Sequence, residues 1–133
     1  MNILVVEDDK QFKDVLHEIL AHYGHTVQTA DDGAEAFRVL QQSQVQLIIS
    51  DIHMPNCTGT QLHEMVRTDK RLKEIPFVYM TGYSILRIAT PLDQPGLDFM
   101  VNKVPFARLL QVVDGISNRG ESTVGDRLAY GAI

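Results

Sequence analysis

The sequence predicts an α/β fold in which five strands of a doubly wound parallel sheet alternate with five helices. Short apolar runs with the length of buried strands are separated by longer segments whose apolar residues recur at helical spacing. A helix-sized segment lies between every pair of runs, which leaves room for the right-handed crossovers of βαβ units and disfavours hairpins. At 133 residues the chain is long enough for one domain with a substantial core.

The first half of the chain contains three predicted strands and two predicted helices. The strands are the apolar runs at residues 3–6, 26–29 and 47–49. The first helix carries one apolar stripe from Phe12 to Tyr23, and Gly24 is well placed to end it. The second helix follows a turn at residues 31–33. Its apolar positions are Ala34, Phe37, Val39 and Leu40.

The second half continues the alternation and then loses it. A third helix is predicted at residues 61–69, a fourth strand at 77–80, a short helix at 84–90, a fifth strand at 99–101 and a last helix from Pro105 to Ile116. Proline suits a helix start because its missing N–H would have no partner there. Residues 117–133 show no clear periodicity. We therefore expect one domain over residues 1–116 and a C-terminal tail or linker stump over residues 117–133.

Composition excludes several classes of function. The net charge of -5 argues against direct nucleic-acid binding by this chain. No apolar run approaches the roughly 20 residues of a membrane span, and the N-terminus shows no signal-peptide pattern. The single cysteine, Cys57, allows no intrachain disulfide. We expect a cytoplasmic protein that does not contact the membrane.

Polar residues follow the predicted strands at the ends where ligands bind in open parallel sheets. Glu7 and Asp8 follow the first strand, and Asp51 follows the third. Neighbouring first and third strands would bring these carboxylates together, where their repulsion favours a bound cation, and oxygen ligands suit Mg²⁺. Thr81 and Lys103, at the ends of the fourth and fifth strands, would add a hydroxyl and a positive charge. The set indicates a phosphoryl pocket in which a carboxylate can act as the nucleophile.

These residues resemble a known family. The elements that carry the resemblance are Glu7-Asp8, Asp51-x-x-Met54-Pro55-x-x-x-Gly59, Thr81-Gly82 and Lys103, which together resemble the CheY-like receiver domain of two-component response regulators. The resemblance covers roughly residues 1–116. It implies a flavodoxin-like fold with strand order 2-1-3-4-5. It also implies phosphorylation by a histidine kinase or histidine phosphotransfer protein, which switches a protein-binding surface toward a downstream target or an output domain outside this chain.

The resemblance also implies a role for each site residue. Asp51 would be the phosphoacceptor, in a signalling module that at most phosphorylates and dephosphorylates itself. Thr81 would bond a phosphoryl oxygen, and Lys103 would pair with the phosphoryl group. The implied Mg²⁺ ligands are Asp8, Glu7 mostly through water, Asp51 and the backbone carbonyl of His53. Asp9 is left out as a helix-start acid.

The segment after the fifth strand departs from the family pattern. Receivers usually place proline directly after the site lysine, joined by a cis peptide, whereas Val104 stands between Lys103 and Pro105 here. We expect a trans Lys103–Val104 bond, because a cis non-proline bond costs about 2.5–4 kcal/mol, with the extra residue absorbed as a local bulge.

Met100 stands where the family often has an aromatic residue, and Phe99 points to the opposite face. We therefore expect altered hydroxyl-to-aromatic coupling, and non-standard dimerisation through the face of the fourth helix, fifth strand and fifth helix.

Two other classes of protein remain as alternatives. A haloacid-dehalogenase-type phosphatase or phosphotransferase also uses a strand-end Asp with Mg²⁺, but it needs a second acid where His53 stands here. An FMN-binding protein would need a phosphate loop after the first strand, where the acids at residues 7–9 would repel phosphate. The five histidines show no metal-site spacing, and we interpret His17, His22, His25 and His63 as surface residues.

Overall fold

The computed structural model describes residues 1–82 and 94–120, which contain one five-stranded sheet. The strands are β1 (Asn2–Val6), β2 (Thr26–Ala30), β3 (Leu47–Asp51), β4 (Phe77–Thr81) and β5 (Asp98–Asn102). Every neighbouring pair is parallel, and the order across the sheet is β2-β1-β3-β4-β5. The predicted doubly wound fold, with its switch between β1 and β3, is confirmed.

Four α-helices lie within the described ranges. They are α1 (Lys10–His22), α2 (Gly33–Gln42), α3 (Gly59–Arg67) and α4 (Phe106–Ser117), and a 3-10 turn follows at Asn118–Gly120. The fold was predicted with five helices. The helix predicted at residues 84–90 lies outside the described residues, and so do residues 121–133. The described helical structure continues through the 3-10 turn to Gly120, whereas the last helix was predicted to end at Ile116. In the same described ranges no helix is both long and apolar enough to cross a membrane.

The sheet separates two hydrophobic cores. Ile3 and Val5 of β1 face α1 and α4, whereas Leu4 and Val6 face α2 and α3. Because both faces are covered, the inner strands read as continuous apolar runs in the sequence instead of alternating ones. On β5, Phe99 packs with the first core and Met100 with the second, so they lie on opposite faces as predicted.

Specific caps set where α1 and α3 begin and where α1 ends. The Asp9 carboxylate accepts the backbone N–H of Phe12 at 3.2 Å and starts α1 directly after β1. Thr58 and Gln61 form a reciprocal capping box, so α3 begins two residues earlier than its apolar pattern suggests. Gly24, at φ +91°, follows the end of α1 in a conformation that favours glycine. The two helix starts therefore sit close to the carboxyl edge of the sheet.

A buried charged cluster joins α3 to the start of β5. His63 is only 5% exposed, so the prediction that it lies on the surface is wrong. Its ring packs 5.0 Å from that of Phe77, and its Nε2 lies 2.8 Å from Oδ1 of Asp98. Arg67 donates to the same carboxylate oxygen at 2.6 Å and to the backbone carbonyl of Ile75 at 2.8 Å. The fully buried Asp98 side chain therefore holds two side chains of α3.

We expect Asp98→Asn to lower the free energy of unfolding by about 3–5 kcal/mol, because the substitution leaves the Arg67 guanidinium buried without its counter-charge. Urea denaturation measures the change. Asp14→Asn, at an exposed position of α1, is the matched control and should change stability by no more than about 0.5 kcal/mol. Equal stability of the two variants would show that the cluster contributes nothing.

Candidate functional site

Three carboxylates meet at the carboxyl edge of the sheet. Glu7 directly follows β1, Asp8 comes next, and Asp51 is the last residue of β3, the neighbour of β1. Each offers one oxygen, and these oxygens all lie within 4.8 Å of one another. The structure therefore brings together the three acids that the sequence placed at neighbouring strand ends.

The three acids differ in their access to solvent. Glu7 is fully buried and Asp51 nearly so, whereas Asp8 is exposed. Oε2 of Glu7 accepts hydrogen bonds from the backbone N–H groups of Asp8 at 3.0 Å and Asp9 at 3.4 Å, which fixes the orientation of the carboxylate. A cation arriving from solvent would therefore meet Asp8 first, with the two buried carboxylates behind it.

Lys103 supplies the positive charge of the cluster. Its ammonium donates to Oε1 of Glu7 and, at 3.1 Å, to Oδ2 of Asp51. The backbone N–H of Lys103 donates to the carbonyl of Thr81 at 2.8 Å, which joins the ends of β4 and β5. Thr81 itself is buried at the end of β4. The structure thus directs Lys103 toward Asp51.

The inserted residue after Lys103 lies in a bend that precedes α4. Val104 is 65% exposed and Pro105 is the N-cap of the helix. Among the described residues only the Val104–Pro105 peptide is cis, so the Lys103–Val104 bond is trans, as predicted. The extra residue projects outward and leaves the lysine in the cluster.

Burial and charge shift the pKa values of the two central partners in the same direction. Burial raises the pKa of Glu7 to about 7, and nearby Asp51 adds to this effect although the hydrogen bond from Lys103 opposes it. Burial of Lys103 disfavours its charge, but its hydrogen bonds to Glu7 and Asp51 outweigh burial and raise its pKa. The lysine therefore stays charged, and the cluster can hold a proton near neutral pH.

The loop after β3 folds back tightly onto Asp51. A Cβ atom at Gly59 would lie 2.1 Å from the carbonyl oxygen of Asp51, so this position requires glycine. The N–H of Gly59 donates to the carbonyl of Ile52 at 3.0 Å, and the N–H of His53 donates to Oδ1 of Asp51 at 3.4 Å. The His53 side chain is exposed. The loop therefore orients the Asp51 carboxylate from its own side.

The donor chemistry fits a hard divalent cation. The cluster contains only carboxylate oxygens as ligand atoms, and one of its three acids is open to water. Mg²⁺ prefers one or two carboxylates together with several waters. Lys103 already bonds two of the three acids, so a cation would share them with the ammonium.

One neighbour of the cluster was missed by the sequence reasoning. The Nζ atom of Lys103 lies 4.9 Å from the ring centroid of Phe12 in α1. Phe12 falls on the apolar stripe of α1, and the sequence therefore placed it in the core. No spacing signal in the sequence connects these two residues.

The comparison with known families decides the identity of the domain. A family model described as "Response regulator receiver domain" matches residues 3–114. The chain belongs to this family. This chain is thus a receiver domain of two-component response regulators, which is a signalling module.

Relatives and solved structures agree with this assignment. The receiver is 34% identical over 112 residues to the chemotaxis protein CheY of Pseudomonas aeruginosa, covering 84% of this chain and 90% of CheY. It is 32% identical to the response regulator protein FleR of the same organism, over 84% of this chain and 23% of FleR. The receiver therefore spans about a quarter of that larger regulator.

The response regulator TrrA of Thermotoga maritima has been solved in two relevant complexes. One contains Mg²⁺-BeF, with a TM-score of 0.72 to this receiver, and the other contains the histidine kinase ThkA, with a TM-score of 0.74. In both, identity is 28% and the match covers 86% of this chain and 97% of TrrA. The receiver thus shares its fold with a regulator that has been solved with a metal and with a kinase.

In the metal-free receiver we expect Glu7 to make the free energy of unfolding fall as pH rises from about 4.5 to about 7. Its pKa of about 7 in the folded state lies above the ordinary value of 4.5, so the folded state binds this proton more tightly. That contribution is complete below pH 4.5 and is lost as pH rises through 7. Urea denaturation in the presence of a chelator, repeated across this range, measures the dependence.

Glu7→Gln should remove that part of the pH dependence, because glutamine does not titrate. Glu64→Gln, at an exposed position of α3, is the matched control and should retain it. A Glu7→Gln variant whose stability changes with pH as steeply as the parent would contradict the assignment to Glu7.

Proposed function

We propose that Asp51 accepts a phosphoryl group from a phosphohistidine of a histidine kinase or a histidine phosphotransfer protein. The observation that carries the proposal is the position of the Asp51 carboxylate. It lies at the end of a buried strand, within 4.8 Å of two other acids and hydrogen-bonded to Lys103. The complex of TrrA with ThkA supports a kinase as partner, because TrrA shares the fold of this receiver.

In this proposal an oxygen of Asp51 attacks the phosphorus atom of the donor. The phosphorus–nitrogen bond breaks, its electron pair stays on the imidazole nitrogen, and an aspartyl phosphate forms. Lys103 lies within reach to pair with the transferred group, and Thr81, at the neighbouring strand end, would donate its hydroxyl to a phosphoryl oxygen. Phosphoryl transfer depends mainly on such positioning and on charge neutralisation. By the same chemistry the receiver would take a phosphoryl group from a small donor and lose it to water.

The acidic cluster is proposed to hold Mg²⁺. Asp8 and Asp51 would bind the ion directly, Glu7 mostly through water, and the backbone carbonyl of His53 would complete the protein ligands. The Mg²⁺-BeF complex of TrrA supports this assignment. When bound, Mg²⁺ supplies positive charge that offsets the carboxylates and the phosphoryl oxygens.

The role in the whole protein follows from these proposals. Phosphorylation would switch a protein-binding surface that acts on a separate target protein or on an output domain outside this chain. Phosphorylation could act by making two receivers dimerise through the face that contains β5 and α4. We propose that residues 1–116 form the receiver and that residues 117–133 form a tail or linker stump. We also propose that the protein is located in the cytoplasm.

A phosphatase of the haloacid-dehalogenase type receives no support from the comparisons. That chemistry needs a second acid two residues after the nucleophile, and the residue there is His53, whose side chain is exposed. The switch is therefore the function that the site favours.

Incubation with acetyl phosphate and Mg²⁺ should add one phosphoryl group, and Asp51→Asn should abolish the addition. An amide cannot form the acyl phosphate, because its carbonyl oxygen is a poor nucleophile at neutral pH. Intact-protein mass spectrometry measures the product, and the bond should be labile to base.

Asp9→Asn is the matched control for this change. Asp9 is an exposed acid that caps α1, and asparagine caps helices as well as aspartate does, so phosphorylation should persist. Equal labelling of Asp51→Asn and Asp9→Asn would refute Asp51 as the acceptor.

Mg²⁺ should raise the melting temperature of the receiver, because it binds the carboxylates of the folded state and relieves their repulsion. At ten times the dissociation constant the gain is about 1.4 kcal/mol, or about 5 °C for a domain of this size. Asp8→Asn should reduce the shift strongly, whereas Asp9→Asn should retain it. Thermal scans with and without Mg²⁺ measure both, and an unchanged shift in Asp8→Asn would exclude Asp8 from the site.

A further inference from the structure

We infer that Phe12 is a positioning residue for Lys103, whose ammonium it holds in place between Glu7 and Asp51. The inference rests on the proposed function, because it assigns Phe12 to the phosphoryl site through the lysine. Phe12 belongs to α1, outside the set of residues that the sequence assigned to that site.

The ammonium of Lys103 has three different neighbours. Two of them are carboxylates, Glu7 and Asp51, which accept its hydrogen bonds. The third is the ring of Phe12, whose centroid lies 4.9 Å from Nζ. This distance is within the range of about 6 Å in which a cation is attracted to the face of an aromatic ring. The ring therefore adds attraction for the ammonium beyond its two hydrogen bonds.

Phe12 is held through both its ring and its backbone. It stacks on Phe106, the first residue of α4, with centroids 5.6 Å apart and an interplanar angle of 30°. Its backbone N–H is bound by the Asp9 cap at 3.2 Å, which fixes the first turn of α1. A residue held in this way keeps its ring in a fixed position, where it can restrict the movement of a flexible side chain beside it.

Lys103 needs a contact of this kind because its backbone is fixed by the bond to Thr81 but its long side chain is flexible. Lys103 lies in the bend just beyond β5, and the next residue in that bend, Val104, is 65% exposed. A lysine stem has many rotamers, and a strongly hydrated ammonium is drawn toward solvent. The bonds to Glu7 and Asp51 alone would leave one side of the ammonium to water.

An aromatic ring suits this role better than another acid. A third carboxylate would compete with a phosphoryl group for the ammonium and would add negative charge to a cluster that already holds three acids. The ring attracts the cation through its quadrupole and carries no net charge. Lys103 can therefore stay in place and remain available to a phosphoryl oxygen.

The test compares Phe12→Leu, which keeps an apolar side chain but removes the ring, with Phe12→Tyr, which keeps the ring. Phosphorylation by acetyl phosphate should slow about two- to fivefold in Phe12→Leu, as expected for loss of a partly exposed cation–ring contact. Phe12→Tyr should retain the parental rate. Phe37→Leu, at a half-buried position of α2 in the other core, should also retain it and controls for a general loss of packing.

A spectroscopic readout separates positioning from stability. The ε-methylene protons of Lys103 should show an upfield ring-current shift in the NMR spectra of the parent and of Phe12→Tyr, and this shift should disappear in Phe12→Leu. Parental rates in Phe12→Leu, or equal slowing in Phe12→Leu and Phe37→Leu, would overturn this inference alone. A parent chain that takes no phosphoryl group on Asp51 would overturn the proposed function and this inference together.

Discussion

The ammonium of Lys103, placed between the carboxylates of Glu7 and Asp51, is the interaction on which the site depends. Two buried acids and an exposed Asp8 lie within 4.8 Å of one another, an arrangement that would be strongly repulsive without a cation. The ammonium is a resident counter-charge, whereas a metal ion would be a second one that arrives from solvent. Because Lys103 makes no hydrogen bond to Asp8 in the structure, that acid remains available to the arriving ion.

Strand β5 positions this counter-charge, because Lys103 directly follows it, and the strand is held at both ends. Asp98 opens the strand and is held inside the protein by Arg67 and His63 of α3. At the other end, the backbone of Lys103 bonds the carbonyl of Thr81 at 2.8 Å. A strand fixed at its two ends cannot slide along β4 without breaking one of the two attachments. The buried cluster at one edge of the sheet therefore supports the position of the lysine at the opposite edge.

The sequence predicted the strands and most of the site because both follow local rules. Buried parallel strands are continuous apolar runs, and the polar residue that ends each run lies at the ligand-binding edge. The burial of His63 could not be predicted, since it depends on Asp98, 35 residues away in the chain. The contact between Phe12 and Lys103 joins the first helix to the residue that follows the last strand, and no periodicity describes such a pair. The start of α3 was missed because the Thr58 cap, and not the apolar pattern, sets it.

The order in which the site residues occur along the chain has a consequence for folding cooperativity. The acids come from β1 and β3, near the start and middle of the chain, whereas their counter-charge comes from the residue after β5. A partly folded form that had assembled only the first three strands would bury Glu7 and Asp51 together with no ammonium between them. Such a form would carry an electrostatic penalty that disappears only when the last strand docks. The charge arrangement of the site therefore favours docking of the edge strand once β1 and β3 have paired.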